Sequence, residues 1–378
     1  RNSALFVQLG SGNINIYVME NSKMVDTYSL KIGGLRINEL FEESLDSPKD
    51  YVQVIREYLT PFFETLSDAI PEKLSQCIVS GNEIQTIASM CNATNSLDFS
   101  IMERTAFTKM YKKAKEKGTE AISMEYDIPQ EEVEVLLPSL IVLNRLLKYT
   151  VNDSILLSNV LLSDAVMFEM LFPKEASFVV KAYEEFTLQS ATSIAERFGR
   201  DLDHISRVSS VALEIYDKMK KLHGYKLRER TLLQVSAILQ DIGKYVNVKN
   251  HALLSYNTIT NLDIVGINDH ERLIIATVCY YHNGNIPSMD SPIYNQLSQE
   301  DRVMVSKLAA ILQISNAINT SHSPKFEQVN VNMKNGKLNI YLTTLKNINL
   351  EKWAFIAKSK LFREVYGLNA TIIKRGVL

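Results

Sequence analysis

The chain has 378 residues, of which 46% are hydrophobic and 22% are charged, and its formal net charge is −2. This length and composition are typical of a globular protein with two or three domains. Such a small net charge gives no basic field that would attract DNA, and no apolar run approaches the roughly 20 residues of a membrane-spanning helix, so we expect neither partner.

Strand and helix patterns alternate over the first 172 residues. Strands are predicted at 4–9, 13–20, 24–32, 74–80 and 154–158, and helices at 37–45, 51–69, 83–91 and over most of 101–171. Pro61 predicts an interruption or a first helical turn within 51–69. The alternation indicates an α/β lobe that ends near Phe172-Pro173.

The sequence from 177 to 322 has helical periodicity almost throughout, which predicts an all-helical domain. The pattern then changes. Apolar runs at 326–333 and 338–345 flank Asn335-Gly336, which favours a hairpin with a type I′ turn. A helix and a strand are predicted after it, at 350–366 and 368–373. The predicted domains are therefore 1–172, 173–322 and a small α/β appendix at 323–378.

The three cysteines, Cys77, Cys91 and Cys279, are far apart and form no Cys-x-x-Cys pair. This argues against a disulfide framework or a thiolate zinc site, and it favours buried thiols in a reducing cytoplasm. The chain shows no signal peptide and begins at Arg1, without methionine, directly before a strand-like run. We therefore expect its natural start to lie upstream.

Three turns rich in small residues follow predicted strands of the α/β lobe. Glycine frees the backbone to adopt positive φ and brings N–H groups close to a phosphate. A lone Gly-x-Gly is most often an ordinary hairpin turn, but three such turns in one lobe can converge on one phosphate chain. The predicted phosphate-binding residues are Gly10, Ser11, Gly12, Asn13, Gly33, Gly34, Ser80 and Gly81.

The same segments resemble the exopolyphosphatase and guanosine pentaphosphate phosphohydrolase (Ppx/GppA) family of the actin-like superfamily. Residues 8–15 are similar to its Asp-Ile-Gly-Gly-Gly-Ser-Thr-Glu loop, 29–36 to its Ser-Leu-x-x-Gly-x-x-Arg segment and 79–84 to its Gly-Thr-Ser-Gly-Thr loop. The resemblance continues through the helical region. It implies the second lobe of an actin-like (ribonuclease H-like) fold followed by an HD-type helical domain. The first lobe, with the family's catalytic glutamate, would precede residue 1, so the catalytic residues of this chain are unknown.

The sequence departs from the family at charged positions. Gln8 stands where the family has a metal-organising aspartate, Asn15 where it has a glutamate, and Ser163 where it has an arginine. Proteins usually hold Mg²⁺ through one or two carboxylates plus substrate phosphates, so these replacements remove charge that holds metal and orients water. Mg²⁺ in the cleft between the lobes stays a possibility.

The helical region carries a degenerate HD-type pattern. An intact HD site uses His, then His-Asp, then a distant Asp to bind a divalent metal that activates water. Here the pattern reads His204, Gln240, Asp241 and Asn316, and Asp241 begins the string Asp-Ile-Gly-Lys. Because two of these four are neutral amides, we predict an empty site without a cofactor, in which His204 and Asp241 form a hydrogen-bonded pair. His223, His270 and His322, in polar sequence surroundings, are predicted to be surface residues.

The resemblance implies attack of metal-activated water on a terminal phosphoryl group of polyphosphate or guanosine pentaphosphate. Three functions remain open: a hydrolase with an altered site, a non-catalytic phosphate- or nucleotide-binding regulator, and a structural or interaction protein. Release of phosphate separates the first from the others, and ligand binding separates the second from the third. The resemblance also implies a cytoplasmic homodimer.

Overall fold

A computed structural model describes residues 2–21, 23–41, 48–70, 73–96, 98–160, 162–334 and 336–376. The chain divides into two compact units, residues 1–181 and 182–378. The helix Pro173–Arg197 (α8) begins at the predicted end of the α/β lobe and extends past the division between the units. The predicted division into three domains stays a prediction.

The first unit is built on a mixed seven-stranded sheet. Its strands are β1 (Ser3–Leu9), β2 (Ile14–Glu20), β3 (Lys23–Leu30), β4 (Gln76–Gly81), β5 (Thr94–Asn95), β6 (Phe99–Glu103) and β7 (Ser154–Ser158), in the order β3-β2-β1-β4-β7-β6-β5. The first three strands are antiparallel, and β4 and β7 continue parallel to β1. This is the α/β arrangement expected for the ribonuclease H-like lobe.

Apolar alternation places the core of this unit. Leu5, Val7 and Leu9 on β1 are at most 2% exposed, whereas Gln8 between them is exposed. The period of two in a strand sends these side chains to one face, and each fully buried large side chain contributes roughly 1.5–3 kcal/mol. The helices that share this core are α1 (Gly34–Phe41), α2 (Pro48–Tyr58), α3 (Thr60–Ala69), α4 (Ile84–Met90), α5 (Arg104–Tyr126) and α6 (Gln130–Leu146). The helix α7 (Leu162–Leu171) follows β7, and its side chains from Ser163 onward are exposed.

Two local predictions need correction. The segment 51–69 is not one helix, because α2 ends at Tyr58 and Pro61 lies in the first turn of α3, where a proline needs no N–H. The short hairpin of β5 and β6 replaces the predicted start of a helix at 101. A five-residue segment such as Phe99–Glu103 is too short to distinguish strand from helix by its period alone.

The second unit is helical from 182 to 322, as predicted. After α8 come α9 (Leu202–Lys218), α10 (Lys220–His223), α11 (Leu227–Leu239), a 3₁₀ turn (Ile242–Tyr245), α12 (His251–Ile259), α13 (Asp269–Tyr281), α14 (Pro292–Asn295) and α15 (Gln299–Ile318). Residues 177–322 are all described, and none of them is in a strand.

The C-terminal appendix contains β8 (Gln328–Lys334), β9 (Lys337–Thr343), α16 (Asn349–Lys358), α17 (Lys360–Tyr366) and β10 (Asn369–Arg375). β8 and β9 form the predicted hairpin, and β10 lies parallel to β9. Gly336 has a φ of +68°, and Asn335 lies outside the described residues, so the type of turn stays a prediction. Leu338, Ile340 and Leu342 belong to the same hydrophobic core as the helices.

All three cysteines are free and buried, as predicted. Burial raises the pKa of the Cys77 thiol to about 12, which makes it a poor nucleophile. Among the residues that the structure describes, no helix combines the length and hydropathy needed to cross a bilayer.

Candidate functional site

The three glycine-containing turns lie side by side at one edge of the large sheet. Because β1 and β4 are parallel, Gln8 pairs with Ser80 and Leu9 with Gly81, so both strands end at the same place. The Gly33 turn closes over the first turn, since a Cβ at Gly33 would lie 2.2 Å from the carbonyl oxygen of Ser11. We call residues 10–13, 33–34 and 80–81 the glycine edge. Its predicted role in phosphate binding stays a prediction.

Glycine is required at this edge for a different reason than the sequence led us to expect. Within the glycine edge only Gly81 has a positive φ, +147°. Gly33 and Gly34 are needed because neighbouring backbone leaves no room for a Cβ, and at Gly34 the obstacle is the Val135 carbonyl oxygen of α6 at 2.6 Å. Gly12 has nothing within 4 Å of a Cβ. The edge is therefore held together by close backbone contact.

Some of its N–H groups are already used. The Gly10 N–H donates to the Asn13 carbonyl oxygen at 3.0 Å and closes the first turn. The N–H groups of Ser11 and Gly12 have no backbone acceptor within the described ranges. Successive N–H groups of this kind form a concavity for an anion, so Ser11 and Gly12 are the available donors of the first turn.

Neutral amides form a hydrogen-bonded network beside this edge. The Asn15 amide donates to Gln8 Oε1 at 3.0 Å, and its Oδ1 accepts from Ser29 Oγ at 2.9 Å and from Asn13 Nδ2 at 3.1 Å. The two positions that are acidic in the family thus bond to each other. They offer no carboxylate, so these residues do not fit a Mg²⁺ site of the expected kind.

Ser163, the third replacement, lies exposed in the first turn of α7, and no hydrogen bond or ion pair in the described part of the chain joins it to the glycine edge.

Sequence reasoning overlooked Glu83, which directly precedes α4 and follows the Ser80-Gly81 turn. Glu83 is 8% exposed, and its Oε2 has no hydrogen-bond partner among the described residues. Burial raises the pKa of this carboxyl, and the nearby Glu132 adds to the shift. The signal in the sequence that could have identified Glu83 is its position, an acidic residue directly after a strand-end turn.

The helical unit contains a second polar centre. Asp241, at the end of α11, His251, at the start of α12, and His282, directly after α13, are all buried. Asp241 Oδ1 lies 3.3 Å from His282 Nε2 and 3.6 Å from His251 Nε2, and the two Nε2 atoms are 3.3 Å apart. We call these three residues the Asp–His cluster.

The predicted pairing of His204 with Asp241 is wrong. The His204 Nε2 to Asp241 Oδ2 distance is 3.8 Å, too long for a hydrogen bond. Instead the amide of Asn319 lies 2.8 Å from His204 Nδ1, and His322 stacks on the His204 ring with centroids 3.9 Å apart. Burial, followed by the charge of His322, lowers the pKa of His204 to about 4.

The other members of the predicted HD-type set are Asn316, Gln240 and Asp241, and the predicted set stays a prediction. Asn316 is half-buried on α15, and Asn319, one turn later, is the amide that meets His204. Gln240 is 1% exposed, and neither of its side-chain polar atoms finds a partner among the described residues. Lys244 donates to Asp241 Oδ2 at 2.8 Å.

Among the histidines predicted to be at the surface, His270 and His322 are exposed, whereas the prediction for His223 is wrong. His223 is 5% exposed, accepts from the Tyr225 N–H at its Nδ1 and donates from Nε2 to the Tyr216 carbonyl oxygen. A polar sequence neighbourhood does not reveal that His223, at the end of α10, bonds to Tyr216 on the preceding helix α9.

Comparison with known proteins shows which family this chain is similar to. Residues 188–361 match the family model of the Ppx/GppA phosphatase domain III. A guanosine-5'-triphosphate,3'-diphosphate pyrophosphatase of Photobacterium profundum is 20% identical over 322 residues, which are 82% of this chain and 60% of that protein.

Two solved structures are also similar. An exopolyphosphatase of Cytophaga hutchinsonii aligns with a TM-score of 0.40 and 17% identity over 45% of this chain and 57% of its own. The Aquifex aeolicus member of the Ppx/GppA family aligns with a TM-score of 0.38 and 18% identity over 46% and 57%. The chain spans about 60% of the length of the curated relative from Photobacterium profundum. Residues 188–361 are therefore similar to domain III of the Ppx/GppA phosphatases, and the chain as a whole is similar to a relative of that family over 82% of its own length.

Proposed function

We propose that the protein to which this chain belongs is a phosphohydrolase that binds polyphosphate or guanosine pentaphosphate at the glycine edge. The observation that carries the proposal is that three strand-end turns lie at one edge of the sheet, where the N–H groups of Ser11 and Gly12 have no backbone acceptor among the described residues. The curated relative is named as a pyrophosphatase of guanosine-5'-triphosphate,3'-diphosphate, which supports this substrate class.

Binding and hydrolysis make different demands at this edge. Backbone dipoles alone can hold an anion, so loss of the carboxylates at Gln8 and Asn15 leaves phosphate binding intact. Hydrolysis also needs charge neutralisation and an acid or base that positions water. The described residues at the edge do not supply both, so we place the reacting acid elsewhere in the full-length protein. We expect slower turnover than in a family member with both carboxylates, by about a hundredfold or more.

A second candidate is a non-catalytic regulator that binds the same ligands. It is favoured by the network of Gln8, Asn15 and Ser29, which satisfies these side chains without a cation. In this proposal the chain keeps the anion-binding backbone and has replaced the catalytic charges. A homodimer and a cytoplasmic location are further proposals that rest on the family resemblance.

A charge placed at Gly12 tests the glycine edge. An aspartate fits there because a Cβ at Gly12 meets nothing within 4 Å, and its carboxylate would repel a phosphate held by the Ser11 and Gly12 N–H groups. In the full-length protein we expect Gly12→Asp to weaken binding of polyphosphate and of guanosine pentaphosphate about tenfold or more, as measured by calorimetry. Gly12→Ala is the matched control and should bind as the wild type does.

Phosphate release from the same two substrates distinguishes the candidates. Slow release that falls further in Gly12→Asp supports the hydrolase. Binding that depends on Gly12 but gives no release supports the regulator. If neither substrate binds, or if Gly12→Asp binds both as tightly as Gly12→Ala, the glycine edge is not the phosphate site. That outcome would leave the structural or interaction role.

A further inference from the structure

The Asp–His cluster in the helical unit lies outside the glycine edge, and phosphate binding there does not account for it. Its members come from three separate elements, since Asp241 follows α11, His251 begins α12 and His282 follows α13. They are 5%, 7% and 1% exposed. Burying three such polar side chains in mutual contact is unfavourable unless each has a partner.

The backbone fixes the tautomer of both imidazoles. His251 Nδ1 lies 2.7 Å from the Val248 carbonyl oxygen, and His282 Nδ1 contacts the Cys279 carbonyl oxygen. A carbonyl oxygen only accepts, so each Nδ1 carries the proton and donates it. The Nε2 atom of each neutral ring is therefore left with a bare lone pair. The two lone pairs meet at 3.3 Å.

Asp241 adds a third acceptor to the same point. Its Oδ2 is occupied by the Lys244 ammonium, and its Oδ1, which faces both Nε2 atoms, has no hydrogen-bond partner among the described residues. Two imidazole nitrogens and one carboxylate oxygen thus converge without a proton donor between them. Lone pairs arranged in this way repel one another unless a cation lies between them.

The spacing of these atoms fits a metal ion. A tetrahedral ion with ligand bonds of about 2.0–2.2 Å places its ligand atoms about 3.3–3.6 Å apart. The three distances in the cluster are 3.3, 3.3 and 3.6 Å. Metal-bound histidines almost always donate their other ring N–H to a carbonyl or carboxylate, and His251 and His282 both do so.

We propose that Asp241, His251 and His282 bind one divalent transition metal of the zinc class, with Asp241 as a ligand through a single oxygen. Two imidazoles and one carboxylate favour Zn²⁺ or a similar ion over Mg²⁺, which prefers oxygen ligands. Three protein ligands leave a fourth position for water or another small ligand. The expectation of no metal here rested on Gln240 and Asn316, which are not in the cluster.

The test is Zn²⁺ binding by chelator-stripped full-length protein, followed by calorimetry and elemental analysis after dialysis. We expect about one Zn²⁺ per chain and a higher melting temperature, since an ion bound only by the folded state stabilises it. His251→Gln and His282→Gln should each weaken the affinity about a hundredfold or more, because even loss of an outer hydrogen bond to a ligand costs 10- to 100-fold. Asp241→Asn should do the same.

His270→Gln is the matched control, because it removes an imidazole that is 62% exposed and bonded to Asp301 outside the cluster. It should bind Zn²⁺ as the wild type does. Co²⁺ in place of Zn²⁺ should give the strong visible absorption of a four-coordinate site, and His251→Gln should abolish it. Asp241→Asn also removes the ion pair with Lys244, so the two histidine variants decide the matter if that variant fails to fold.

Folded wild-type protein without stoichiometric Zn²⁺ or Co²⁺ binding would overturn the proposal, and a shared proton would then be the bridge within the cluster. Undiminished binding in both histidine variants would overturn it as well, since the ion would lie elsewhere. These readouts do not involve phosphate release, so they are independent of the outcome at the glycine edge.

Discussion

His223 is a buried residue whose protonation the fold opposes. Burial lowers its pKa, and the Lys307 ammonium lowers it further, against the bond to the Tyr216 carbonyl and the charges of Asp217 and Glu229. A histidine with a lowered pKa binds fewer protons in the folded than in the unfolded state. Its contribution to stability is therefore complete above the unfolded pKa of about 6.5 and is lost as the pH falls below it.

We predict that the free energy of unfolding of the helical unit decreases as the pH is lowered from about 7 to 5, and that His223→Gln flattens this slope. Urea denaturation followed by circular dichroism at several pH values measures both. A slope that is unchanged in His223→Gln would assign the pH dependence to other groups.

At the network of Gln8 and Asn15, charge and metal can be restored together. Gln8→Asp with Asn15→Glu places two carboxylates where the amides now lie 3.0 Å apart. Two like charges at about 4 Å repel by about 1 kcal/mol in water, so the double variant should be less stable without a divalent ion. We expect Mg²⁺ to restore its melting temperature and to recover part of the phosphate release in the full-length protein.

The neutral control for that variant is Gln8→Asn with Asn15→Gln, which changes both lengths but adds no charge. It should not respond to Mg²⁺. If the charged variant gains neither Mg²⁺-dependent stability nor turnover, the backbone at the glycine edge has also diverged from that of an active site.

At the scale of elements, the glycine edge depends on the packing of one turn over another. A Cβ at Gly33 would lie 2.2 Å from the Ser11 and 2.4 Å from the Gly10 carbonyl oxygen, and these are backbone atoms that cannot rotate away. Overpacking of this kind costs about 1–3 kcal/mol. We predict that Gly33→Ala destabilises the first unit by this amount, as measured by urea denaturation, and that it also weakens phosphate binding.

Gly12→Ala provides the comparison within the same edge, because a Cβ there meets open space and the residue does not have a positive φ. Its free energy of unfolding should stay within about 0.5 kcal/mol of the wild type. If the two alanine variants change the free energy of unfolding equally, the effect comes from the conformational entropy of the unfolded chain and not from close backbone contact at Gly33.

At the scale of the whole molecule, the C-terminal appendix and the helices behave as one unit. Ile340 on β9 is 0% exposed and belongs to the helical core, whereas Ile373 on β10 is 36% exposed. We predict that Ile340→Ala lowers the free energy of unfolding of the helical unit by about 2–5 kcal/mol, because it leaves a cavity. Ile373→Ala should have a much smaller effect.

Both variants can be compared by thermal unfolding followed by helical circular dichroism. If Ile340→Ala leaves the helical transition unchanged, residues 323–378 unfold separately, as the predicted three-domain division requires. The division of the chain into 1–181 and 182–378 leads us to expect a common transition.

The sequence alone determined the features that depend on residues close together in the chain. The period of two or 3.6 residues placed most strands and helices, Pro61 marked a helix start, and the order of the three turns indicated the family. The neutral replacements at Gln8 and Asn15 are likewise visible without a structure. Each of these signals is local, because side-chain direction and backbone freedom depend on residues a few positions apart.

Only the tertiary structure decided which distant side chains meet. His204 bonds to Asn319, 115 residues away, rather than to Asn316 or Asp241, and His251 meets His282, 31 residues away. A pattern of expected metal ligands in a sequence does not specify how helices pack. Asn316 and Asn319 are about one helical turn apart, and only the packing decides which of them meets His204. The Asp–His cluster exists because three element ends pack together in one core, and the sequence spacing of its members does not encode that packing.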